Sequence, residues 1–146
     1  MDTLSPMSRS KIMASIRSKN TKPELAVRSA LHRMGFRFRL HCREMPGNPD
    51  IVLPKYKAIV WVHGCFWHCH SNCQTGRRPK SNIDYWNPKI SRNIERDKIN
   101  RRKIARKGWR NFVIWECQIL DPRRFEKKLG SLRKQLRTKK KLLLKH

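Results

Sequence analysis

The sequence predicts an α/β fold in which helices flank a mixed central sheet. Segments with helical periodicity alternate with short apolar runs, in the order helix, three strands, helix, strand, helix, and no segment repeats. Two of the apolar runs, residues 50–53 and 58–63, are rich in Ile, Val and Trp, as is typical of strands buried on both faces. The chain of 146 residues is long enough to enclose a substantial core, so we expect one main domain.

The first long helix is predicted to begin after Thr21. Thr21 and Glu24 have the spacing of a capping box, in which a hydroxyl and a carboxylate bond free N–H groups of the first turn. Gly35 ends the helix, because glycine readily adopts the backbone conformation of a helix end. Residues 1–20 precede this domain, and we expect a flexible arm with a short, basic helix at 12–16.

The rest of the chain follows the same two periodicities, except at residues 64–86, where we expect a metal-stapled loop. Residues 36–40 alternate apolar and polar side chains, as a strand does. The remaining predicted elements are a basic helix at 87–107, a buried strand at 111–117, a helix at 122–136 and a basic tail at 138–146. The main domain is therefore expected to span residues 21–137.

The chain is strongly basic, with 36 Lys and Arg against 10 Asp and Glu and a formal net charge of +26. Basic residues are spread from Arg9 to Lys145, so no separable tail explains the excess. Such a chain binds polyanions, and nucleic acid is the first candidate partner. A ribosomal-type binding protein is the simplest alternative. An acidic membrane fits poorly, because no long basic amphipathic helix with an aromatic face is present.

The sequence contains no apolar run of about 18 residues, and no apolar signal-peptide core follows Met1. We therefore expect a cytoplasmic protein, associated with the nucleoid in a bacterium and without contact to a membrane. We also expect a monomer. In a reducing compartment, the five cysteines indicate metal ligands or buried thiols rather than disulfides.

A Cys/His cluster follows the third predicted strand. Cys65, Cys69, His70 and Cys73 lie within nine residues, and Cys117 ends a strand far along the chain. Zinc takes four ligands of this type in a tetrahedron, so a local group with one remote cysteine would pin the loop to the sheet. Five candidates compete for four places, and spacing alone does not choose between Cys69 and His70. Some of them are alternatively ordinary buried thiols.

Four polar groups stand near the ends of predicted elements, namely Glu24, Asp50, His63 and His68. Hydrolysis of a phosphodiester needs a divalent cation, an activated water and a proton for the leaving oxygen. Asp50 opens a strand beside a loop, which suits a magnesium ligand. His68 can act as general base, because imidazole titrates near neutral pH. Each group has a simpler interpretation, such as the helix cap for Glu24, but the set together favours a nuclease.

Large aromatic side chains accompany the irregular segment. Phe66 and Trp67 are consecutive within the loop, and Trp86 stands at its far end. Consecutive residues cannot easily both face one core. Loop packing is one interpretation, and an apolar wedge that enters a base stack is the other. The high positive charge favours the wedge.

With these residues the sequence resembles the very-short-patch repair (Vsr) endonucleases, a bacterial family that nicks DNA at T:G mismatches. The run His-Gly-Cys-Phe-Trp-His at positions 63–68 is highly specific, and the resemblance covers residues 8–120. The matching segments are 8–13, 21–24, 49–52, 62–68, 93–97, 108–110 and 115–117.

The resemblance implies a restriction-endonuclease-like fold. It also implies a magnesium-dependent nick on the 5′ side of a mismatched thymine that arises by deamination of 5-methylcytosine. Asp50 would bind magnesium together with the main-chain carbonyl of Val62. His68 would activate water, and His63 and Glu24 would support the network of water and phosphate.

The resemblance also implies a ligand set for zinc and a set of residues inserted into DNA. Zinc would be held by Cys65, His70, Cys73 and Cys117, which leaves Cys69 outside the site. The residues inserted beside a T:G pair would be Phe66, Trp67 and Trp86 from the major groove and Met13, on the N-terminal helix, from the minor groove.

The sequence departs from most restriction-type nucleases, which follow the first aspartate with an acidic residue, any residue and lysine. Here that position reads Val62, His63, Gly64, a replacement that is expected within the family. A non-catalytic zinc module that binds DNA or RNA is a second hypothesis, but it has no need of Asp50, His63 and His68 as a set. A double-strand nuclease on the same fold is a third, and it has no need of intercalating aromatics. Mismatch-repair proteins are candidate partners.

Overall fold

A computed structural model of the chain describes residues 21–66, 68, 70, 73 and 80–138. The predicted arm with Met13, the tail after Thr138, and the side chains of Trp67 and Cys69 lie outside the described residues. The elements, in chain order, are helix α1 (Lys22–Arg33), strand β1 (Arg39–Leu40), strand β2 (Ile51–Leu53), a 3-10 turn (Pro54–Tyr56), strand β3 (Ala58–His63), helix α2 (Ile83–Arg106), strand β4 (Arg110–Trp115), helix α3 (Glu116–Leu120) and helix α4 (Pro122–Arg137).

The strands of the described residues form one mixed sheet in the order β1-β2-β3-β4. β2 pairs antiparallel with β1 and with β3, whereas β3 pairs parallel with β4. A parallel pair needs a crossover connection, and the segment that contains α2 provides it. The predicted mixed sheet flanked by helices is confirmed.

Local hydrogen bonds explain where the elements begin and end. The Thr21 hydroxyl accepts the backbone N–H of Glu24 at 3.4 Å, and the N–H of Phe36 donates to the carbonyl of Leu31 at 3.0 Å. Because the N–H of Phe36 is bonded to the last turn of α1, this residue does not pair in the sheet. β1 spans only Arg39–Leu40 and is shorter than the strand predicted at 36–40.

Two further boundaries differ from the prediction. Helix α2 begins at Ile83 rather than at residue 87 and contains Pro88, which removes only one helical hydrogen bond. The predicted strand at 111–117 ends at Trp115, because its N–H donates to the side-chain oxygen of Gln118 at 2.9 Å and α3 begins. A short helix therefore replaces the last two residues of that strand.

Alternation along β3 divides the core between the two faces of the sheet. Val60 packs with residues of α1 and α4, whereas Ile59 and Trp61 pack with Ile104 of α2 on the other face. As predicted, β2 is buried throughout and β3 almost throughout. β4 is an edge strand and fully buries only Ile114, so the expectation of a buried strand there was wrong. No helix within the described ranges combines the length and apolar character needed to cross a membrane.

Candidate functional site

The groups singled out in the sequence collect at one end of the sheet. Because β2 and β3 are antiparallel, Asp50, which immediately precedes β2, lies beside the last residues of β3. A carboxylate oxygen of Asp50 accepts the N–H of Val62 at 2.9 Å. β3 and β4 are parallel, so their last residues, His63 and Trp115, pair at the same end. Three side-chain clusters lie around this end.

The first is the acidic cluster, which consists of Glu24, His41 and Asp50. One potential ligand atom from each of these residues lies within 4.8 Å of the others. Arg28, one turn along α1 from Glu24, donates from one guanidinium nitrogen to Glu24 at 2.9 Å and approaches Nε2 of His41 at 2.8 Å. Glu24 is buried, so its carboxylate is held inside the protein rather than at the surface of the helix.

The acidic cluster has the electrostatics of a cation site. The pKa of Asp50 is raised to about 7, mainly by burial and also by the charge and hydrogen bond of Glu24, whereas the Val62 N–H and the charge of Arg28 act in the opposite direction. A buried carboxylate becomes ionised when an opposite charge is supplied. Carboxylate oxygens are also the ligands that magnesium prefers. The residues present therefore fit a divalent cation held by Asp50.

The second is the histidine cluster, which consists of His63, His68 and Asp97. The rings of His63 and His68 stack with centroids 3.8 Å apart. Nε2 of His63 lies 3.0 Å from one carboxylate oxygen of Asp97, and Nε of Arg101 lies 2.9 Å from the other. The remaining ring nitrogen of His63 is buried and has no hydrogen-bond partner in the part of the chain that the structure describes.

Burial and the neighbouring charges fix the protonation of this cluster. Burial, assisted by His63, lowers the pKa of His68 to about 4, so its imidazole is neutral at physiological pH. Burial alone would raise the pKa of Asp97, but the hydrogen bond and charge of His63, with Arg101 and His68, lower it overall. A neutral imidazole thus stands beside an ionised carboxylate. The two histidines and Asp97 line a cleft of about 290 Å³ that can admit a substrate group.

The third is the thiol cluster, which consists of Cys65, His70, Cys73 and Cys117. One ligand atom of each lies within 4.8 Å of the others, and Nδ1 of His70 is 3.6 Å from Sγ of Cys65 and 3.4 Å from Sγ of Cys117. A tetrahedral zinc ion with Zn–S of about 2.3 Å and Zn–N of about 2.0 Å separates sulfur from nitrogen by about 3.5 Å. The four residues therefore fit zinc.

Trp115 joins the thiol cluster to the histidine cluster. Its ring stacks on His70 at 3.9 Å and meets the edges of His63 at 5.2 Å and His68 at 6.0 Å. From the sequence, Trp115 is predicted only as part of the buried strand at 111–117. Its position instead lets the loop that holds His70 support the two stacked imidazoles.

The aromatic residues of the predicted wedge are only partly described. Phe66 and Trp86 lie together, with ring centroids 5.2 Å apart and nearly perpendicular. Tyr85, which is 46% exposed, contacts Trp86 at 4.9 Å, and Ile83 is 50% exposed at the start of the same helix. Phe66 and Trp86 thus form a pair beside exposed apolar side chains, whereas Trp67 and Met13 fall outside the described residues.

Several residues of these clusters were missed from the sequence. Asp97 carried a usable signal, because it lies on the apolar stripe of α2, three residues after Ile94 and seven after Ile90. His41 carried none, since it stands in a loop and reaches the acidic cluster through tertiary contacts. The other residues missed are Arg28, Arg101 and Trp115.

A family described as "DNA mismatch endonuclease Vsr" matches residues 1–75, about half of the chain.

Curated relatives match over most of the chain. The type II nicking enzyme V.XorIIP of Xanthomonas oryzae pv. oryzae is 49% identical over 93% of this chain and 94% of its own length. The type II nicking enzyme V.NmeAIP of Neisseria meningitidis serogroup A is 42% identical over 93% of this chain and 96% of its own length. The DNA mismatch endonuclease Vsr of Escherichia coli is 36% identical over 76% of this chain and 70% of its own length.

Proposed function

The chain belongs to the Vsr family of DNA mismatch endonucleases and is an endodeoxyribonuclease, and from this premise we propose that it nicks one strand of duplex DNA on the 5′ side of the thymine in a T:G mismatch. The observation that carries the proposal is the grouping of the acidic and histidine clusters at one end of the sheet. A module that only bound nucleic acid would gain nothing from burying these groups, because desolvating ionisable side chains is costly.

The acidic cluster is the site for the catalytic magnesium ion. Asp50 and the main-chain carbonyl of Val62 would hold it, and Glu24 lies beside Asp50. When bound, magnesium neutralises charge on the scissile phosphate and stabilises the leaving oxygen. The protein's own contribution is to fix the carboxylate of Asp50, which the N–H of Val62 does at 2.9 Å.

The histidine cluster supplies the base. His68 is neutral at physiological pH, because burial lowers its pKa to about 4, so it can accept a proton from the attacking water. The charge that then forms on His68 is stabilised by the nearby carboxylate of Asp97, and His63 holds the ring of His68 by stacking. Asp97 in turn holds His63, so three side chains are fixed in one arrangement.

The thiol cluster binds a structural zinc ion through Cys65, His70, Cys73 and Cys117. Four protein ligands complete the tetrahedral coordination of zinc, so the site has no open position for substrate, as in structural zinc sites. His70 stacks on Trp115, whose ring also contacts His63, so zinc bound to His70 would fix the loop beside the two catalytic imidazoles.

The DNA partner is bound by charge and recognised by aromatic insertion. The net charge of +26 supplies sequence-independent affinity for phosphates. Phe66, Trp67 and Trp86 enter the stack beside the mismatch from one groove and Met13, on the N-terminal arm, from the other. The main domain at 21–137 has the restriction-endonuclease-like fold, and the protein works as a monomer in the bacterial cytoplasm, associated with the nucleoid.

The test is a nicking assay with zinc-loaded protein and magnesium on a duplex that contains one T:G pair, with a T:A duplex as control. We expect a single nick in the T strand of the T:G duplex and none in the control. The Asp50→Ala variant should lose nicking and still bind the DNA. Intact T:G duplexes across several flanking sequences would refute the proposal.

A further inference from the structure

A single guanidinium nitrogen of Arg28 bridges two residues of the acidic cluster. It lies 2.9 Å from Oε2 of Glu24 and 2.8 Å from Nε2 of His41, and these two atoms are 3.5 Å apart. All three side chains are at most 15% exposed. A positive group therefore stands between a carboxylate oxygen and an imidazole nitrogen, within the protein.

The contacts of His41 direct its Nε2 into the acidic cluster. Nε2 lies 2.8 Å from the guanidinium nitrogen of Arg28 and 3.5 Å from Oε2 of Glu24. A guanidinium group has only donors, so Nε2 is the ring nitrogen that can accept in this contact. An accepting ring nitrogen is also the atom through which a histidine binds a metal ion.

The backbone holds His41 in place for this role. His41 has φ of 47°, in the left-handed region that a residue with a Cβ seldom adopts. Its N–H donates to the carbonyl of Asp50 at 3.3 Å. Such a conformation persists only where surrounding contacts enforce it. The position of the imidazole relative to Asp50 is thus set by a specific and mildly strained turn.

Resting on the proposed function of the acidic cluster, we propose that His41 is a nitrogen ligand of the divalent metal held by Asp50 beside Glu24, and that the guanidinium of Arg28 competes with that metal for Nε2 of His41. One ligand atom from each of the three residues lies within 4.8 Å of the others, which one ion can span. The monovalent guanidinium balances one of two carboxylates, whereas a divalent ion balances both.

The donor set predicts which metals bind. Magnesium prefers oxygen ligands and retains several waters. An imidazole nitrogen adds more affinity for a transition metal such as Mn²⁺ than for the harder cation Mg²⁺. We therefore expect the site to bind Mn²⁺ more tightly than Mg²⁺, and His41 to account for the difference.

The first test measures metal binding without DNA, using zinc-loaded protein. Free Mn²⁺ is followed by its electron paramagnetic resonance signal, and Mg²⁺ affinity is obtained by competition. His41→Gln should weaken Mn²⁺ binding roughly tenfold or more, since the loss of a residue that merely supports a metal ligand already costs that much. Mg²⁺ binding should fall much less, so the preference for Mn²⁺ over Mg²⁺, measured as the ratio of the two affinities, should decrease.

The matched control is His32→Gln, the same substitution at an exposed histidine of α1, which should leave the ratio unchanged. A structural role for His41 would lower the unfolding temperature and would weaken both metals equally. An equal loss, or an unchanged ratio in His41→Gln, would overturn the assignment of His41 as a ligand.

The second test concerns Arg28. If its guanidinium competes with the metal for Nε2 of His41, Arg28→Gln should bind Mn²⁺ at least severalfold more tightly than the wild type. Equal or weaker Mn²⁺ binding in Arg28→Gln, in a variant whose unfolding temperature without Mn²⁺ is close to that of the wild type, would overturn the competition by Arg28.

The nicking assay separates this inference from the proposed function. T:G nicking by the wild type with an unchanged metal ratio in His41→Gln would refute the role of His41 alone. If His41→Gln shows a smaller ratio of Mn²⁺ to Mg²⁺ affinity but the wild type does not nick T:G duplexes, the mismatch activity is refuted and His41 is supported as a metal ligand.

Discussion

His63 and His68 stack face to face, with ring centroids 3.8 Å apart and planes within 6° of parallel. Two imidazoles this close do not both carry a positive charge at neutral pH, because like charges repel strongly at short range. Burial, with a smaller contribution from this repulsion, lowers the pKa of His68 to about 4. The buried stack therefore keeps His68 as a base, while Asp97 contacts Nε2 of the other ring at 3.0 Å.

Asp97→Asn tests whether this arrangement serves the chemical step. The amide keeps the size of the side chain but removes the charge that stabilises a protonated His68. We expect the single-turnover rate of nicking on T:G DNA to fall about 100-fold, the lower range of what a positioned base contributes. DNA affinity should remain within a factor of about two, because the substitution lies in the buried cluster rather than on the basic surface.

Glu95→Gln is the control for Asp97→Asn, since Glu95 is an exposed acid two residues earlier on α2. It should leave the rate unchanged. A loss that falls on DNA affinity instead of the rate, or a similar loss in both variants, would argue against a positioning role for Asp97.

The stability of the protein without added magnesium should depend on Asp50. Burial raises its pKa from 3.8 to about 7, so the folded state binds the proton more tightly than the unfolded state does. The stability that this proton supplies is fully present below pH 3.8 and is lost as the pH rises to about 7. Asp50→Asn cannot titrate and should not show this loss.

Thermal unfolding of the zinc-loaded proteins from pH 5 to pH 8 measures the effect. We expect Asp50→Asn to gain in unfolding temperature relative to the wild type as the pH rises, and magnesium at pH 8 to restore the wild type alone. Parallel curves for the two proteins at all pH values would show that Asp50 does not titrate in this window.

The thiol cluster shows how far sequence reasoning reaches. Spacing limited the zinc ligands to five candidate residues, and the family resemblance selected Cys65, His70, Cys73 and Cys117. The structure brings these four together. Spacing could not make that choice, because Cys69 and His70 are adjacent and the direction of each side chain depends on the path of the loop.

The acidic and histidine clusters show which features of the site cannot be predicted from the sequence. Asp50, Glu24, His63 and His68 were identified because they stand at element ends, but their division into two clusters depends on which helix covers which face. Glu24 comes from α1, whereas the partner of His63 is Asp97 from α2. His41 reaches Glu24 only because a left-handed residue turns the loop, and periodicity does not reveal such a turn.

Cys117→Ser should remove zinc and destabilise the protein. Cys117 follows β4, whereas the other three ligands follow β3, so zinc ties the loop to the neighbouring strand. Loss of a metal ligand belongs to the substitutions that cost about 4 kcal/mol or more. At about 3 °C per kcal/mol for a domain of this size, we expect the unfolding temperature to fall by about 10 °C, with zinc content measured on the same sample.

Cys42→Ser is the matched control, because Cys42 is partly exposed and stands outside the thiol cluster. It should retain one zinc ion per chain and unfold near the wild-type temperature. Full zinc content in Cys117→Ser would remove Cys117 from the site.

Trp86→Ala tests the aromatic pair. Phe66 and Trp86 contact each other at 5.2 Å beside exposed apolar side chains, as a wedge requires. Stacking of a base on an aromatic side chain contributes about 1–3 kcal/mol. We expect the preference for T:G over T:A duplexes to fall about tenfold in binding, whereas affinity for the matched duplex, which depends on charge, stays the same. Ile99→Ala, at a 40% exposed apolar residue of the same helix, should alter neither affinity. If Trp86→Ala weakens binding to both duplexes equally, Trp86 packs the loop rather than recognising the mismatch.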